Sequence, residues 1–181
     1  VFIVKAKGPG GRVGKPGELI KKLIEEHKVD RIFMVDAGQK LEGEESGKVV
    51  EGVGAAIGGP PTEKYKIEEI ARKEKIPLDA LVVKEGLKEA ITPMTKNLSK
   101  SAEKAVERLE KAVRNRTSEN DTVIIAGIGN TIGIGQNPND LPKEFPASEE
   151  KEEGLESIIS IPGLSAFLDR FSSDLSLSNV F

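Results

Sequence analysis

The sequence predicts an α/β domain of three layers, in which helices cover both faces of a mostly parallel sheet. Short apolar runs alternate along the chain with longer segments whose apolar residues recur at helical spacing. Three of these runs, residues 32–35, 81–83 and 123–125, are continuously apolar, which is typical of strands covered on both faces. The 181 residues suffice for one domain with a substantial core.

Each element is predicted from its own local pattern. The first helix carries an apolar stripe at Leu19, Ile20 and Leu23, and Thr62 follows two prolines as the cap of the second. We expect four to five strands in a Rossmann-like order. The elements, in chain order, are strand Val1–Lys7, helix Glu18–Lys28, strand Arg31–Ala37, helix Thr62–Lys75, strand Leu78–Lys84, helix Ser99–Arg116 and strand Thr122–Ala126.

The character of the chain changes after Gln136, so residues 1–136 are expected to form the α/β domain. Residues 137–154 contain three prolines and an acidic run, as is typical of a linker. Residues 155–181 carry an apolar stripe and include three of the six Phe residues, Phe167, Phe171 and Phe181. We expect this tail to dock either on its own domain or on a partner.

Composition excludes several classes of function. The chain has no Cys, which rules out thiolate zinc sites, disulfides and Cys nucleophiles. Its net charge is −3, with a mildly basic body and an acidic tail, which is not the profile of a nucleic-acid-binding protein. Because no apolar stretch approaches the roughly 20 residues of a membrane helix, we expect no membrane contact by this segment and a cytoplasmic location.

Three glycine clusters are the strongest functional signal. Each contains Gly-x-Gly-x-x-x-Gly, and glycine lets backbone N–H groups approach a ligand closely. Because ligands of open parallel sheets bind outside the carboxyl ends of the strands, we expect the three loops to converge on one hollow there. The candidate ligand-binding residues are Gly8, Gly10, Gly11, Arg12, Gly14, Lys15, Gly52, Gly54, Gly58, Gly127, Gly129, Asn130, Thr131 and Gly133.

None of the clusters matches a standard nucleotide motif. Pro9 and Pro16 break the P-loop pattern of the first cluster, and Ile57 and Ile132 replace the third glycine of the dinucleotide fingerprint in the other two. The first loop nevertheless leads into a helix start, where an anion is favoured. We expect such a small anionic ligand to be held chiefly by the side chains of Arg12 and Lys15.

Asp36 is the candidate catalytic residue, because it ends the second strand at the same edge. A carboxylate there can accept a ribose hydroxyl, transfer a proton or bind a metal. Oxygen-only sites suit Mg²⁺ or Mn²⁺, so a divalent cofactor is expected to use Asp36 with one of Glu42, Glu44 or Glu45.

The chain resembles the archaeal domain-of-unknown-function 1512 family over residues 1–136. The motifs that carry the resemblance are residues 4–18, 35–37, 51–60, 63–69, 91–94 and 126–136. The resemblance implies an archaeal source and a longer parent protein with a membrane segment N-terminal to this fragment; it implies no particular activity. Residues 124–131 are also similar to the opening of the metal-dependent hydrogenase maturation proteases, although residues 132–136 contain no carboxylate where that family has an acidic stretch.

Three hypotheses follow. The first is a domain that binds a phosphorylated or nucleotide-like small molecule at the glycine loops. The second is a metal-dependent hydrolase centred on Asp36. The third is a non-catalytic assembly domain, compatible with a homo-oligomer, whose tail makes the contacts. The sequence leaves open whether the protein is an enzyme.

Overall fold

The centre of the fold is a five-stranded, mostly parallel sheet with the strand order β1-β5-β2-β4-β3. The computed structural model describes residues 1–8, 14–55, 62–128 and 131–147. Neighbouring strands pair in parallel except for β3, which runs antiparallel to β4. This confirms the predicted α/β fold. The strands are β1 (Phe2–Lys5), β2 (Arg31–Gln39), β3 (Val49–Val53), β4 (Leu78–Glu85) and β5 (Val123–Gly127).

The helices begin where the local sequence satisfies their first turn. Pro16 opens the first helix, a position where its missing N–H is no loss. Thr95 caps the longest helix by accepting the N–H of Leu98, so this helix begins three residues before the predicted Ser99. The helices are α1 (Pro16–Glu26), α2 (Thr62–Lys73), α3 (Leu87–Ala90) and α4 (Lys96–Arg116), with a 3₁₀ turn at Pro138–Asp140. Within the described ranges, no helix has both the length and the apolar character that a membrane crossing requires.

Two apolar clusters lie on opposite faces of the sheet. Ile32 and Met34 of β2 belong to the first cluster, together with residues of α1 and α2. Phe33, which alternates with them along the strand, belongs to the second cluster with Ala112 of α4. Helices α1 and α2 therefore pack on one face and α4 on the other, an arrangement compatible with the predicted three layers.

Strand β3 is absent from the sequence prediction. Its register places Val49 beside Val83 and Val53 beside Asp79, so the chain runs back toward the amino ends of the parallel strands. The strand contains Glu51 and Gly52, and most of its residues are at least partly exposed, as expected for an edge strand. A run of only five residues that is interrupted by a glutamate and a glycine gives little signal for a strand.

The carboxyl ends of β1 and β5 form a topological switch point. The chain that follows β1 enters α1 on one face of the sheet. The chain that follows β5 runs instead to the start of α4, where Lys96 N–H donates to Pro146 O at 2.8 Å and Pro93 bridges Ile132. In open α/β sheets, ligands bind beside strands whose following loops diverge to opposite faces.

The predicted linker at residues 137–154 is described only to residue 147, where it contains the 3₁₀ turn. The predicted tail at residues 155–181 lies outside the described residues. Both assignments stay predictions.

Candidate functional site

The polar centre of the carboxyl edge is an ion pair between Asp36 of β2 and Lys64 of α2. Val35 is in register with Gly127, the last residue of β5, so Asp36 stands one residue past the end of that strand. The two side chains are only 4% and 13% exposed. The second carboxylate oxygen of Asp36, Oδ1, accepts the N–H of Ala37 at 2.8 Å. The prediction that Asp36 ends the second strand is wrong, because β2 stays paired with β4 as far as Gln39. Lys64 was not anticipated.

Burial controls the electrostatics of this pair. Desolvation raises the pKa of Asp36 above its usual range, against the opposing effects of Lys64 and of the Ala37 N–H. Removing one partner of a buried pair leaves an uncompensated charge, which typically costs about 3–5 kcal/mol. The pair therefore places two strong and mutually dependent polar groups at the switch point.

The start of α1, by contrast, already holds an anion from the protein itself. Gly17 N–H donates to Glu63 Oε2 at 2.9 Å, and Glu63 is buried. The other carboxylate oxygen, Glu63 Oε1, accepts a hydrogen bond from Lys66 Nζ at 2.8 Å. The expectation that a ligand's anion is favoured at this helix start is therefore wrong for the Gly17 N–H, because a carboxylate from α2 occupies that position.

The remaining N–H groups of the first turn of α1 are also bonded. Those of Glu18 and Leu19 donate to Lys15 O at 3.1 and 3.3 Å. Lys15 itself takes the left-handed conformation, with φ 49°, and its side chain is 72% exposed beside Glu18 at 3.5 Å. The cation is thus placed in solvent beside the start of α1.

Described residues beside the first and third glycine clusters are bonded to each other at the carboxyl edge. Ala6 N–H donates to Gly127 O at 2.7 Å, and Gln136 Nε2 donates to Lys7 O at 2.7 Å. Gly14, with φ +89°, leaves no room for a side chain, because a Cβ there would lie 2.9 Å from the Cβ of Lys7. Gly8, Thr131 and Gly133 also fall in these two segments, while Gly10, Gly11, Arg12, Gly129 and Asn130 lie outside the described residues.

The second glycine cluster does not join them. Gly52 lies within β3 opposite Ala80, and Gly54 N–H donates to Leu78 O at the first residue of β4. Both glycines are therefore at the amino end of β4, away from the carboxyl edge. The predicted convergence of three loops is wrong for Gly52 and Gly54, because β3 is antiparallel. Gly58 lies outside the described residues.

The proposed metal ligands have other partners or face solvent. Glu44 accepts the N–H of Leu41 at 2.7 Å and pairs with Lys84 at 3.2 Å. Glu42 and Glu45 are exposed, and Asp36 is bonded to Lys64. In the part of the chain that the structure describes, no three carboxylate or imidazole groups come together as a metal would require.

A second group of carboxylates at this edge was not anticipated. Glu85 ends β4 in a half-buried position, and burial together with the charges of Glu89 and Asp36 raises its pKa to about 7. Glu89 is fixed by the N–H of Gly86, at 2.8 Å, and by the hydroxyl of Ser46. The only sequence signal for this group is that Glu85 comes two residues after the apolar run 81–83.

Comparisons with known proteins identify the family of the chain. No curated protein and no solved structure matches it. Residues 1–135 match the family described as domain of unknown function (DUF1512), C-terminal, whose motifs the sequence resembles. All five strands lie within the matched residues. The chain therefore belongs to the DUF1512 family, of which it contains the C-terminal domain.

Proposed function

We propose that this domain binds a phosphorylated or nucleotide-like small molecule in the crevice at the carboxyl ends of β1 and β5. The observation that carries the proposal is the buried Asp36–Lys64 pair, which stands beside the point where the loops diverge to opposite faces. Buried, mutually dependent charges at such a position are more often found at functional sites than elsewhere in a fold.

The location of the ligand's anion follows from what the helix start already holds. Because the Gly17 N–H already donates to Glu63, a phosphate would bind to side-chain cations of the first loop rather than to the N-terminal end of the helix. Lys15 is exposed beside the start of α1. Arg12, outside the described residues, belongs to the same loop, so the two cations named from the sequence remain the proposed anion partners.

The polar, uncharged part of the ligand would face the ion pair. The Asp36 carboxylate can accept a hydroxyl or amino group, and the Lys64 ammonium can donate to an oxygen. A ligand with both a phosphate and a hydroxylated or nitrogenous ring could bind the first-loop cations through the phosphate and the Asp36–Lys64 pair through the ring. This is the chemistry of sugar phosphates and nucleotides.

A thermal-shift panel tests the proposal. The panel contains inorganic phosphate, ribose 5-phosphate, AMP, ATP and NAD, each with and without Mg²⁺ or Mn²⁺. At one hundred times its Kd, a ligand adds about 2.7 kcal/mol, or roughly 5–10 °C for a chain of this size. We expect at least one organic phosphate to raise the Tm and Asp36→Asn to abolish the rise.

Asp79→Asn is the matched control. Asp79 is equally buried but lies at the amino edge of the sheet, where it pairs with Arg31 at 2.6 Å and Arg116 at 3.0 Å. The control should lower the Tm of the free protein while retaining the ligand-induced rise. If the Asp36 and Asp79 variants retain the rise equally, the crevice is not the binding site.

The other two hypotheses are alternative outcomes of the same panel. A rise caused by the metal alone and lost in Asp36→Asn would favour the hydrolase. No rise with any compound, together with concentration-dependent oligomers in light scattering, would favour the assembly domain. We also propose that the domain is located in the cytoplasm.

A further inference from the structure

We propose that β1 is a dimer interface, in which the β1 strands of two copies of this chain pair antiparallel and join their sheets into one. The inference goes beyond the proposed function, because the interface lies at a lateral edge of the sheet and uses neither Asp36 nor Lys64. The occupant of this edge is a second copy of the chain.

The outer side of β1 offers backbone groups to a further strand. Among the described strands, only β5 pairs with β1, which lies at one end of the sheet. The N–H of Ala6 donates to Gly127 O of β5, and alternate residues of a strand direct their backbone groups to opposite sides. The backbone groups of Ile3 and Lys5 therefore face outward, and no described residue hydrogen-bonds to them. Such unpaired groups are a template for pairing with another chain.

The side chains along this edge are apolar and exposed. Ile3 is in register with Ile125 of β5, which is in register with Phe33 of β2, so the three side chains share the face that α4 covers. Phe33 is fully buried, whereas Ile3 is 79% exposed and Val1, on the same face, is 77% exposed. α4 packs on β3 and β4, at the other end of the sheet. The apolar row thus continues to the edge beyond the cover of α4.

The free stretch of the edge fixes how two copies pair. Lys7 O accepts a hydrogen bond from Gln136 Nε2, so the unoccupied backbone groups lie between Val1 and Lys5. The centre of this stretch is Ile3. In a symmetric antiparallel pair, each Ile3 lies opposite its own copy, and each Val1 lies opposite Lys5 of the partner subunit. The two exposed isoleucine side chains thereby cover each other on the α4 face.

The charges at the two ends of β1 favour a second copy as the occupant. The carboxyl end carries the exposed cations Lys5 and Lys7, whereas the loop that leads into β5 carries Glu119 and Asp121. Because β5 pairs with β1 in parallel, this acidic loop lies beside the amino end of β1. Antiparallel pairing places the basic end of one copy beside the acidic end of the other, on both sides of the two-fold axis.

The opposite edge of the sheet does not suit the same pairing. The N–H of Gly54 donates to Leu78 O of β4, so the outward backbone groups of β3 belong to Val49, Glu51 and Val53. A symmetric pair of β3 strands would place the carboxylates of Glu51 opposite each other, and like charges in that position are destabilising. Between the two edges, β1 is therefore the one that a second copy fits.

A single cysteine tests both the dimer and its register, since the chain has no native Cys. The Cα atoms of the two Ile3 residues would lie about 5.5 Å apart, which suits a disulfide, whereas those of the two Lys5 residues would lie about 14 Å apart. We expect Ile3→Cys to form a covalent dimer when the full chain is oxidised, and Lys5→Cys to stay monomeric. Val53→Cys, at a 92% exposed position of β3, is the control for random collisions. Equal yields in the three variants, or no covalent dimer of Ile3→Cys, would overturn the proposal.

Sedimentation of the chain without the cysteine is the second measurement. Concentrations from about 5 to about 500 µM cover the weak affinity expected of a small interface. The dimer fraction should rise over this range, and Ile3→Lys, which sets two ammonium groups opposite each other, should weaken the dimer about tenfold. Val53→Lys is the matched control at the other edge and should leave the dimer unchanged. A monomer at every concentration, or equal weakening by both variants, would contradict the proposal.

Hydrogen exchange of the Ile3 and Lys5 amides distinguishes a second copy from other occupants. Protection that grows with protein concentration supports the dimer. Full protection in the dilute monomer would show instead that another part of the same chain covers the edge, and would overturn the proposal. Because none of these measurements contains a phosphate, their outcome is independent of the thermal-shift panel.

Discussion

Glu63 Oε2 accepts a hydrogen bond from the N–H of Gly17 at 2.9 Å, so a carboxylate from the first turn of α2 caps the N-terminal end of α1. The contact joins residues that are 46 positions apart, and it places a negative charge where the α1 dipole is positive. A Cβ at Gly17 would lie 2.8 Å from Glu63 O, so the two helix starts can approach this closely only because residue 17 is glycine. The approach of α2 to α1 thus decides which anion the first loop can accept.

Replacing Glu63 by Ala should destabilise the protein and create an anion site. The Gly17 N–H and the Lys66 ammonium would both lose a buried partner, which we expect to cost about 1–3 kcal/mol in urea unfolding. Inorganic phosphate should then stabilise Glu63→Ala more than it stabilises the parent, at matched ionic strength. Glu18→Ala, which removes an exposed carboxylate of the same helix start, is the control. The assignment fails if phosphate stabilises all three proteins equally.

From the raised pKa of Glu85 we expect the free energy of unfolding to fall as the pH rises from about 4.5 to 7. Its pKa is about 7 in the folded protein and near 4.5 when unfolded, so the folded state binds more protons in this interval. Glu85→Gln should remove this decline and be the more stable protein at pH 8, by about 1 kcal/mol once solvent screening of the half-exposed site is allowed for.

Urea unfolding at pH 5, 6, 7 and 8 measures the effect. Glu42→Gln, at an exposed position after β2, is the matched control and should follow the parent. Asp36, whose pKa is also raised by burial, contributes in the same direction in all three proteins. Parallel stability curves for parent and Glu85→Gln would contradict the assignment.

Gly47 and Gly43 separate two reasons for glycine in the loop between β2 and β3. Both have positive φ, of +83° and +79°. A Cβ at Gly47 would overlap Ser101 Oγ of α4, whereas a Cβ at Gly43 would meet nothing within 4 Å. Gly43→Ala should therefore cost about 1 kcal/mol of backbone strain, and Gly47→Ala a further 1–3 kcal/mol from overpacking.

Chemical denaturation of the two alanine variants gives the difference directly. Gly47 N–H also donates to Lys84 O at 2.7 Å, so a displaced loop would weaken the end of β4 as well. Equal losses of stability in the two variants would show that α4 does not pack against the loop at this point.

The elements that the sequence predicts are those with a local signal. Continuous apolar runs identified β2, β4 and β5, and Asp36 was proposed as a site residue because it directly follows such a run. Strand β3 was missed because it is short, it is interrupted by Glu51 and Gly52, and its place is set by pairing with β4. The position of the second glycine cluster was wrong for the same reason, since the direction of a strand is a tertiary property.

The partners of the site residues were beyond local reasoning. Lys64 and Glu63 occupy adjacent positions in an unremarkable charged helix, yet one pairs with β2 and the other caps α1. Nothing in the spacing of charges along α2 distinguishes these two from Glu68 or Glu69, which lie farther along the helix. Their roles follow from where the start of α2 is placed by the sheet.

The place of β5 in the sheet also governs how the chain can assemble during synthesis. Among the described strands, β1 is made first and lies at one end of the sheet, while its neighbour β5 is made last. Until residues 123–127 have emerged, none of the other described strands can pair with β1, so its apolar side chains stay exposed on the nascent polypeptide. A chain that terminates before β5 would therefore lose both strands of the crevice at once, leaving β2, β4 and β3 as a three-stranded remnant.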